Sequence, residues 1–475
     1  MLARLLLSLS ASALASAAMA QDLNIASDTV TTKANDLRGV IYAADGKVYV
    51  SGHRGDLEVE TSTVLGRFNA DGTPDASFGS EGFVEVDFAP GRIEQSVSVA
   101  EMANGDVVVA VNAADEDGGT SVYLLRFDSS GKQKTGADWG GDDGAVEVVF
   151  GWANADNAGY PDAEKPPVDA AWDVLVDTSS GTEKLVVAGS GSAPDGSGRT
   201  DADRYITRLI VADGRVDASF AGGKPFTYHS AQNFSDNGRR AVVEPDGAIV
   251  SAGYTALGDV LKNHVILVRL LPDGSPDPAF GGFIAPASSG ETVGMTPAPG
   301  VAVFNPLVSD GGAAEAYAAV RLSDGSYVTA GYGAATAEGV ASTTGFQTTV
   351  GPDVVTFKVA GQGLDGNWGQ DGRQALQSEG KGMKSEEDRA RQAVVLGGDR
   401  IVQVGRFGGV PAVFVLTKDG QIDTSVSGDG ILELPNDSVD SQFFGASLSP
   451  DGARLALTTN NNKAGARLVI LNTKN

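Results

Sequence analysis

The stretch Arg67-Phe68-Asn69-Ala70-Asp71-Gly72-Thr73-Pro74-Asp75-Ala76-Ser77-Phe78-Gly79 recurs down the chain in edited form, and this recurrence limits the possible folds more than any other feature. Good copies run from Arg208 to Phe220, with Asp213-Gly214 and Asp217, and from Arg269 to Phe280, with Asp273-Gly274 and Asp277. Weaker copies lead from Arg126 to Trp139, from Lys358 to Trp368, and from Leu416 through Asp419-Gly420 and Asp423 to Val426. Six apolar anchors therefore hold equivalent places: Phe78, Trp139, Phe220, Phe280, Trp368 and Val426. A fixed repeat of this kind marks stacked supersecondary units, none of which buries its apolar face alone.

A second signal has the same spacing. Alternating runs flank a two-residue turn at Asp45-Gly46, Asn104-Gly105, Ser180-Gly181, Asp246-Gly247, Asp324-Gly325, Gly397-Gly398 and Asp451-Gly452, which makes seven hairpins. Asx-Gly and Gly-Gly supply the positive φ such turns require. A third strand follows each hairpin, as in Thr63 to Phe68 and Val265 to Leu270, and a fourth short strand follows six of the anchors, as in Gly82 to Phe88 and Gly430 to Leu434. Leu23 to Ala26 is a candidate for the missing seventh, and the sequence leaves the closure of the ring open. Four antiparallel strands in each of seven units predict an all-β chain, a seven-bladed β-propeller with four-stranded blades, in which radial repetition leaves only short strand edges.

The Asp-Gly-x-x-Asp-x-x-Phe-Gly stretch resembles the delta-60 repeat, a bacterial β-propeller repeat of otherwise undefined role. The resemblance covers nearly the whole mature chain; it is good around Phe78, Phe220 and Phe280 and degraded around Trp139, Trp368 and Val426. It implies a propeller in an exported bacterial protein, and it supplies no catalytic residues.

Residues 1–20 carry a basic Arg4, the apolar run Leu5-Leu6-Leu7 and a small-residue end at Ala18-Met19-Ala20, and read as a cleaved secretory signal. The expected mature chain, 21–475, is one propeller domain, exported to the periplasm or beyond the cell. No later segment reaches the ~20 apolar residues of a membrane-spanning helix. The chain has no cysteine, so disulfides and Cys-ligated metals are excluded. A formal net charge of -26 repels nucleic acid and anionic lipid.

Two insertions exceed the repeat, near 151–168 and 287–312. Repeat folds place such segments on loops, often at a binding face. The Asp pairs of the repeat, Asp71/Asp75, Asp213/Asp217 and Asp273/Asp277, suggest a calcium loop. The place of Asn69 is taken by Val211, Leu271 and Thr417 in other copies, however, so a ligand is lost while the turn persists. A structural Asx-turn accounts for the motif better.

Glu85, Glu147 and Glu433 each lie three residues after the glycine that opens a fourth strand. If that strand is the innermost of its blade, alternation turns all three toward the central channel as an acidic cluster able to hold a cation, calcium being the candidate ion. His53, Asn112, Ser190, Tyr254, Tyr332, Arg406 and Thr459 end the second hairpin strands and form a loop-end ring that varies while its framework repeats. No Gly-x-Ser-x-Gly elbow or catalytic His/Asp pairing is evident. Asp128-Ser129-Ser130-Gly131-Lys132 with Trp139 is only a fragment of a quinone-cofactor propeller pattern, and no cofactor is predicted. The expected function is noncatalytic binding of a protein or glycan through loops on one face, by a monomer. The alternative is a metal-dependent hydrolase with its site in the channel.

Overall fold

The computed structural model describes residues 23–473 apart from 117, 138, 151–167, 194–196, 198, 200, 231–234, 257–262, 284–297, 308–311, 335–352, 377, 379–387, 435–440 and 461–464. The signal segment 1–20 and the first insertion up to residue 167 lie outside the described residues.

Seven antiparallel sheets form a ring, and the described residues contain strands and turns without a helix. The chain enters each blade at the hub. The first strands, Asp36–Tyr42, Glu94–Glu101, Ala170–Asp177, Asp236–Val243, Ala313–Arg321, Arg389–Leu396 and Phe443–Leu448, each touch the first strands of both neighbouring blades. Ser98 Oγ thus bonds Asp173 across one blade junction at 2.7 Å, and Tyr42 N donates to Ser447 Oγ across another at 2.9 Å. Second and third strands are rich in Val, Ile and Leu and are buried on both faces, which makes them the hydrophobic body of each blade.

Position in the blade overturns one expectation. The fourth strands, among them Phe83–Val86, Ala145–Val148 and Ile431–Glu433, pair only with third strands and lie at the outer edge, farthest from the axis. Alternation along a strand states which residues share a face; it carries no information about which end of the sheet meets the hub. Part of the second expected insertion is also strand: Val301–Phe304 is the fourth strand of the blade that begins with Asp236–Val243, with Gly282–Phe283 pairing parallel beyond it.

The ring closes through the N-terminal strand. Asn24–Thr31 pairs antiparallel with Ala466–Asn472, from Asn24↔Asn472 to Thr31↔Ala466, and supplies the outer strand of a blade otherwise built from the C-terminus. An ion pair between Asp28 and Arg467 joins the two ends of the chain.

The repeat signature proves to be the joint between blades. Asp75, Asp217 and Asp423 each accept the N–H two residues ahead, at 3.0 to 3.1 Å, closing the Asx-turn. Each also pairs with an arginine that reaches over from a strand, namely Arg67, Arg208 and Arg400. The anchors are fully enclosed: Phe78, Phe220 and Val426 have no exposed surface. The turn then bonds the following blade, as in Gly79 N to Ser130 O at 3.0 Å and Ala221 N to Asp273 O at 2.7 Å. In the hairpin turns positive φ falls on the glycine alone, as at Gly46 (83°) and Gly247 (86°), and the preceding Asp caps the N–H after the glycine; bonds from Ala43 N to Lys47 O and from Glu244 N to Ala248 O leave three-residue loops rather than two-residue ones.

Candidate functional site

Every inner strand carries a β-bulge at the same place. The register shifts between Leu37 and Gly39, Ser96 and Ser98, Ala171 and Asp173, Gly238 and Ala241, Ala316 and Ala318, Ala390 and Gln392, and Phe443 and Gly445. A bulge needs close approach of the neighbouring strand, and five blades provide it with a glycine. A Cβ at Gly52, Gly189, Gly253, Gly331 or Gly405 would fall 1.8 to 2.1 Å from a carbonyl oxygen of the bulged strand. Bulges re-aim the extra side chain, and here the re-aimed residues meet around the axis.

Around the ring these residues are Trp172, Arg239, Tyr317, Arg391, Phe444, Arg38 and Val97, so that aromatic rings and guanidiniums alternate over six consecutive blades. They touch in that order. Arg239 lies 4.2 Å from the Trp172 centroid and 5.5 Å from that of Tyr317; Arg391 lies 4.6 Å from Tyr317 and 5.5 Å from Phe444; Arg38 lies 5.0 Å from Phe444. Such contacts contribute about 0.5–2 kcal/mol each, more as they lose water. The result is a belt of stacked cations and π-faces around the channel.

One residue further along each strand, the side chains form a second layer: Gly39, Ser98, Asp173, Arg240, Ala318, Gln392 and Gly445. Arg240 spans the channel. Its Nη2 donates to the carbonyls of Arg38 and Phe444, at 3.4 and 3.1 Å, on the two blades opposite its own. Those blades present Gly39 and Gly445 in this layer, which leaves room for the guanidinium. Arg240 Nη1 lies 3.5 Å from Asp173 Oδ1, and that carboxylate also accepts from Ser98 Oγ and Ala241 N. Burial pushes the Asp173 carboxyl up and the Arg240 guanidinium down, while their mutual attraction opposes both shifts.

The belt is more crowded with cations than this floor. Burial and the nearby charges of Arg389, Arg239 and Arg38 bring Arg391 down to about 10, against the opposing pull of Tyr317. Asp36 pairs with Arg38 at 2.9 Å, and Glu315 accepts from Tyr317 Oη at 3.0 Å and is also bonded by Asn263. Arg239 is held by the Tyr254 hydroxyl at 2.9 Å and Arg391 by Gln442 Oε1 at 2.9 Å. Neither has a carboxylate within ion-pair distance among the described residues.

The expected site residues divide differently from the sequence reading. Glu85, Glu147 and Glu433 sit on the outer edges of three separate blades and are not brought together; Glu85 accepts from Ser62 Oγ at 2.6 Å and meets Arg54 at 3.2 Å. Two members of the loop-end ring join the belt: Tyr254 beneath Arg239, and Tyr332 stacked on Tyr317 at 5.7 Å with Arg389 4.9 Å from its ring. Asn112 instead clamps the neighbouring blade through both polar atoms on the Ala171 backbone. His53 is buried beside Asp36, and burial holds its pKa below the ordinary value. The belt itself has a sequence signal that the reading missed. Arg38, Val97, Arg239, Tyr317 and Phe444 all stand eight residues before the glycine of their hairpin turn.

Two stretches, residues 43–78 and 244–280, match a family model described as "Domain of unknown function (DUF5122) beta-propeller". No curated protein matches the sequence. Among solved structures the chain is similar to a protein of unknown function from Dyadobacter fermentans, with 10% identity, a TM-score of 0.43, and coverage of 95% of this chain and 99% of that one. It is also similar to Drosophila Semaphorin 2a, with 9% identity, a TM-score of 0.44 and coverage of 95% and 76%. A glucose dehydrogenase gives 12% identity, a TM-score of 0.40 and coverage of 79% and 95%.

Proposed function

We propose that this chain is an exported, noncatalytic binding propeller that seats its ligand, a protein or glycan segment, over the arginine–aromatic belt at the mouth of the channel. The observation that carries the reading is the belt itself. Six blades contribute a guanidinium or an aromatic ring to one annulus, and these are the side chains that dominate recognition surfaces. The body of the propeller is unbroken β-sheet, so the scaffold presents them rigidly. Export rests on residues 1–20 and agrees with a chain that has no cysteine to oxidise.

A hydrolase with a metal in the channel is the weaker reading, because Arg38, Arg239, Arg240 and Arg391 around the axis repel a divalent cation. The test begins with a glycan array and a thermal-shift panel on the mature protein. Any ligand recovered is then titrated against the Trp172→Ala/Tyr317→Ala double variant. A loss of affinity of tenfold or more supports the site. Undiminished binding by the folded variant refutes its location, and turnover of the ligand refutes the noncatalytic reading. Cell fractionation tests export, and cytoplasmic recovery of an unprocessed chain would overturn it.

A further inference from the structure

The chain as a whole is strongly acidic, yet its axis gathers cations, and this inversion of sign is the feature the binding reading leaves unexplained. Four observations bear on it. First, Arg239 and Arg391 both approach the same ring, Tyr317, at 5.5 and 4.6 Å from its centroid, and lack a carboxylate partner among the described residues. Second, Arg239 is 8% exposed, and its Nε has no hydrogen-bond partner among the described residues, although an unmade bond at a buried guanidinium N–H costs free energy. Third, Arg391 feels the charges of Arg389, Arg239 and Arg38 together, so like charges are confined in a desolvated place. Fourth, three hub carboxylates are already committed: Asp36 to Arg38, Asp173 to Ser98 and Arg240, and Glu315 to Tyr317 and Asn263.

We infer that the belt is an oxyanion site, and that the ligand enters the channel mouth with a carboxylate, sulfate or phosphate group placed between Arg239 and Arg391. A guanidinium presents a planar fork of donors that matches two oxygens of such a group, and the fork is worth most where water is excluded. The flanking Trp172, Tyr317 and Phe444 rings offer apolar faces to the rest of the ligand, so an organic anion is held better than a bare ion. Arg240, bonded to its two carbonyl acceptors, spans the channel one residue further along the strands. Bound charge would relieve the repulsion among the guanidiniums, which is the reason to expect the cations to be kept uncompensated. The inference rests on the proposed binding role and adds the class of ligand.

The experiment uses the mature protein at constant ionic strength, with citrate, glucuronate and sodium sulfate as anionic probes, glucose as the neutral control and choline as the cationic one. Thermal midpoint and tryptophan fluorescence are read, Trp172 being the half-buried indole beside Arg239. The expected result is a saturable rise in midpoint and a fluorescence change with an anion. The dissociation constant should weaken at least tenfold in Arg391→Gln and in Arg239→Gln. Comparison of glucuronate and citrate with sulfate separates an organic acid from a free tetrahedral anion. Sulfate also stabilises proteins by exclusion from their surface, so an equal, unsaturable rise in parent and both variants overturns the inference. Saturable binding of glucose or choline alone, unaffected by Arg391→Gln, overturns the anion class while leaving the binding role standing. If no probe binds saturably and Arg391→Gln lowers the midpoint of the free protein, the guanidiniums serve stability only, and the anion site is refuted. With no ligand in the glycan array either, the binding role falls with it.

Discussion

Replacing Arg208 by methionine is the most direct test of the claim that the repeat motif is the joint between blades. Arg208 Nε donates to Asp217 Oδ2 at 2.9 Å, Nη1 to Asp177 Oδ2 at 3.2 Å and to the Pro272 carbonyl of the next blade at 2.7 Å, and Nη2 to Ser219 Oγ at 3.2 Å. Its guanidinium also lies 4.9 Å from the Phe220 ring. Methionine keeps most of the apolar stem and removes the charge. Asp177 has no exposed surface and Asp217 is 5% exposed, so both carboxylates are stranded. Burial pushes Asp217 up, but the Ser219 bonds and the Arg208 charge outweigh it and hold the carboxyl below its ordinary range.

Removing one partner of a buried pair costs about 3–5 kcal/mol. Lys184, 3.8 Å from Asp217, retains part of the compensation, which places the expectation near the lower end. At about 2.1 cal/mol/K per residue, unfolding of a chain this long carries roughly 1 kcal/mol/K of entropy, so the midpoint falls by about 3–4 °C. The assay is urea unfolding followed by circular dichroism, with Asp217→Asn and the double variant completing a cycle. A coupling of at least about 1 kcal/mol is expected between contacting charges. A parent-like free energy for Arg208→Met, within 0.5 kcal/mol (an order-of-magnitude threshold, the scatter about neutral surface substitutions), would refute the reasoning and reduce the motif to a turn signal.

Three further outcomes follow from the same geometry. Deleting residues 24–31 exposes Ala466–Asn472 as an open edge and unlocks the ring; size-exclusion chromatography should show aggregation or a markedly lower urea midpoint, and an unchanged monomer would contradict closure by the N-terminal strand. Gly405→Ala places a Cβ 1.9 Å from the Arg389 carbonyl and should cost about 1–3 kcal/mol or more by denaturant unfolding, and a neutral result would mean the bulge does not require the glycine. Burial pushes Glu94 and Asp169 up to about 7 and Asp236 up to about 6, so the folded state keeps protons that the unfolded chain releases above about pH 4. Their contribution to stability is fully present below about pH 4 and is lost as pH rises through about 6 to 7, and Glu94→Gln should flatten the fall in unfolding free energy over that window. A slope parallel to the parent's would rule out the buried carboxyl as its source.

By itself the sequence determined the strand content and the unit count. Each rests on local chemistry: a glycine with positive φ at Gly46 or Gly247, an Asp closing its own turn at Asp75 or Asp217, and an anchor such as Phe78 that cannot be buried within one unit. A residue that repeats with its framework tells how the framework is made. Only the tertiary structure decided what lies on the axis. Period-two alternation is the same whether a strand is the first or the fourth of its sheet, so Glu85, Glu147 and Glu433 read as channel residues until the ring placed them on its rim. The belt escaped the reading for the complementary reason. Arg38, Trp172, Arg239, Tyr317, Arg391 and Phe444 differ in type and lie far apart in the chain, and each is turned inward by a bulge that breaks the alternation. Arg38, Arg239, Tyr317 and Phe444 share an offset from the hairpin glycine that is visible in the sequence, but its meaning comes from seven strands meeting around one point.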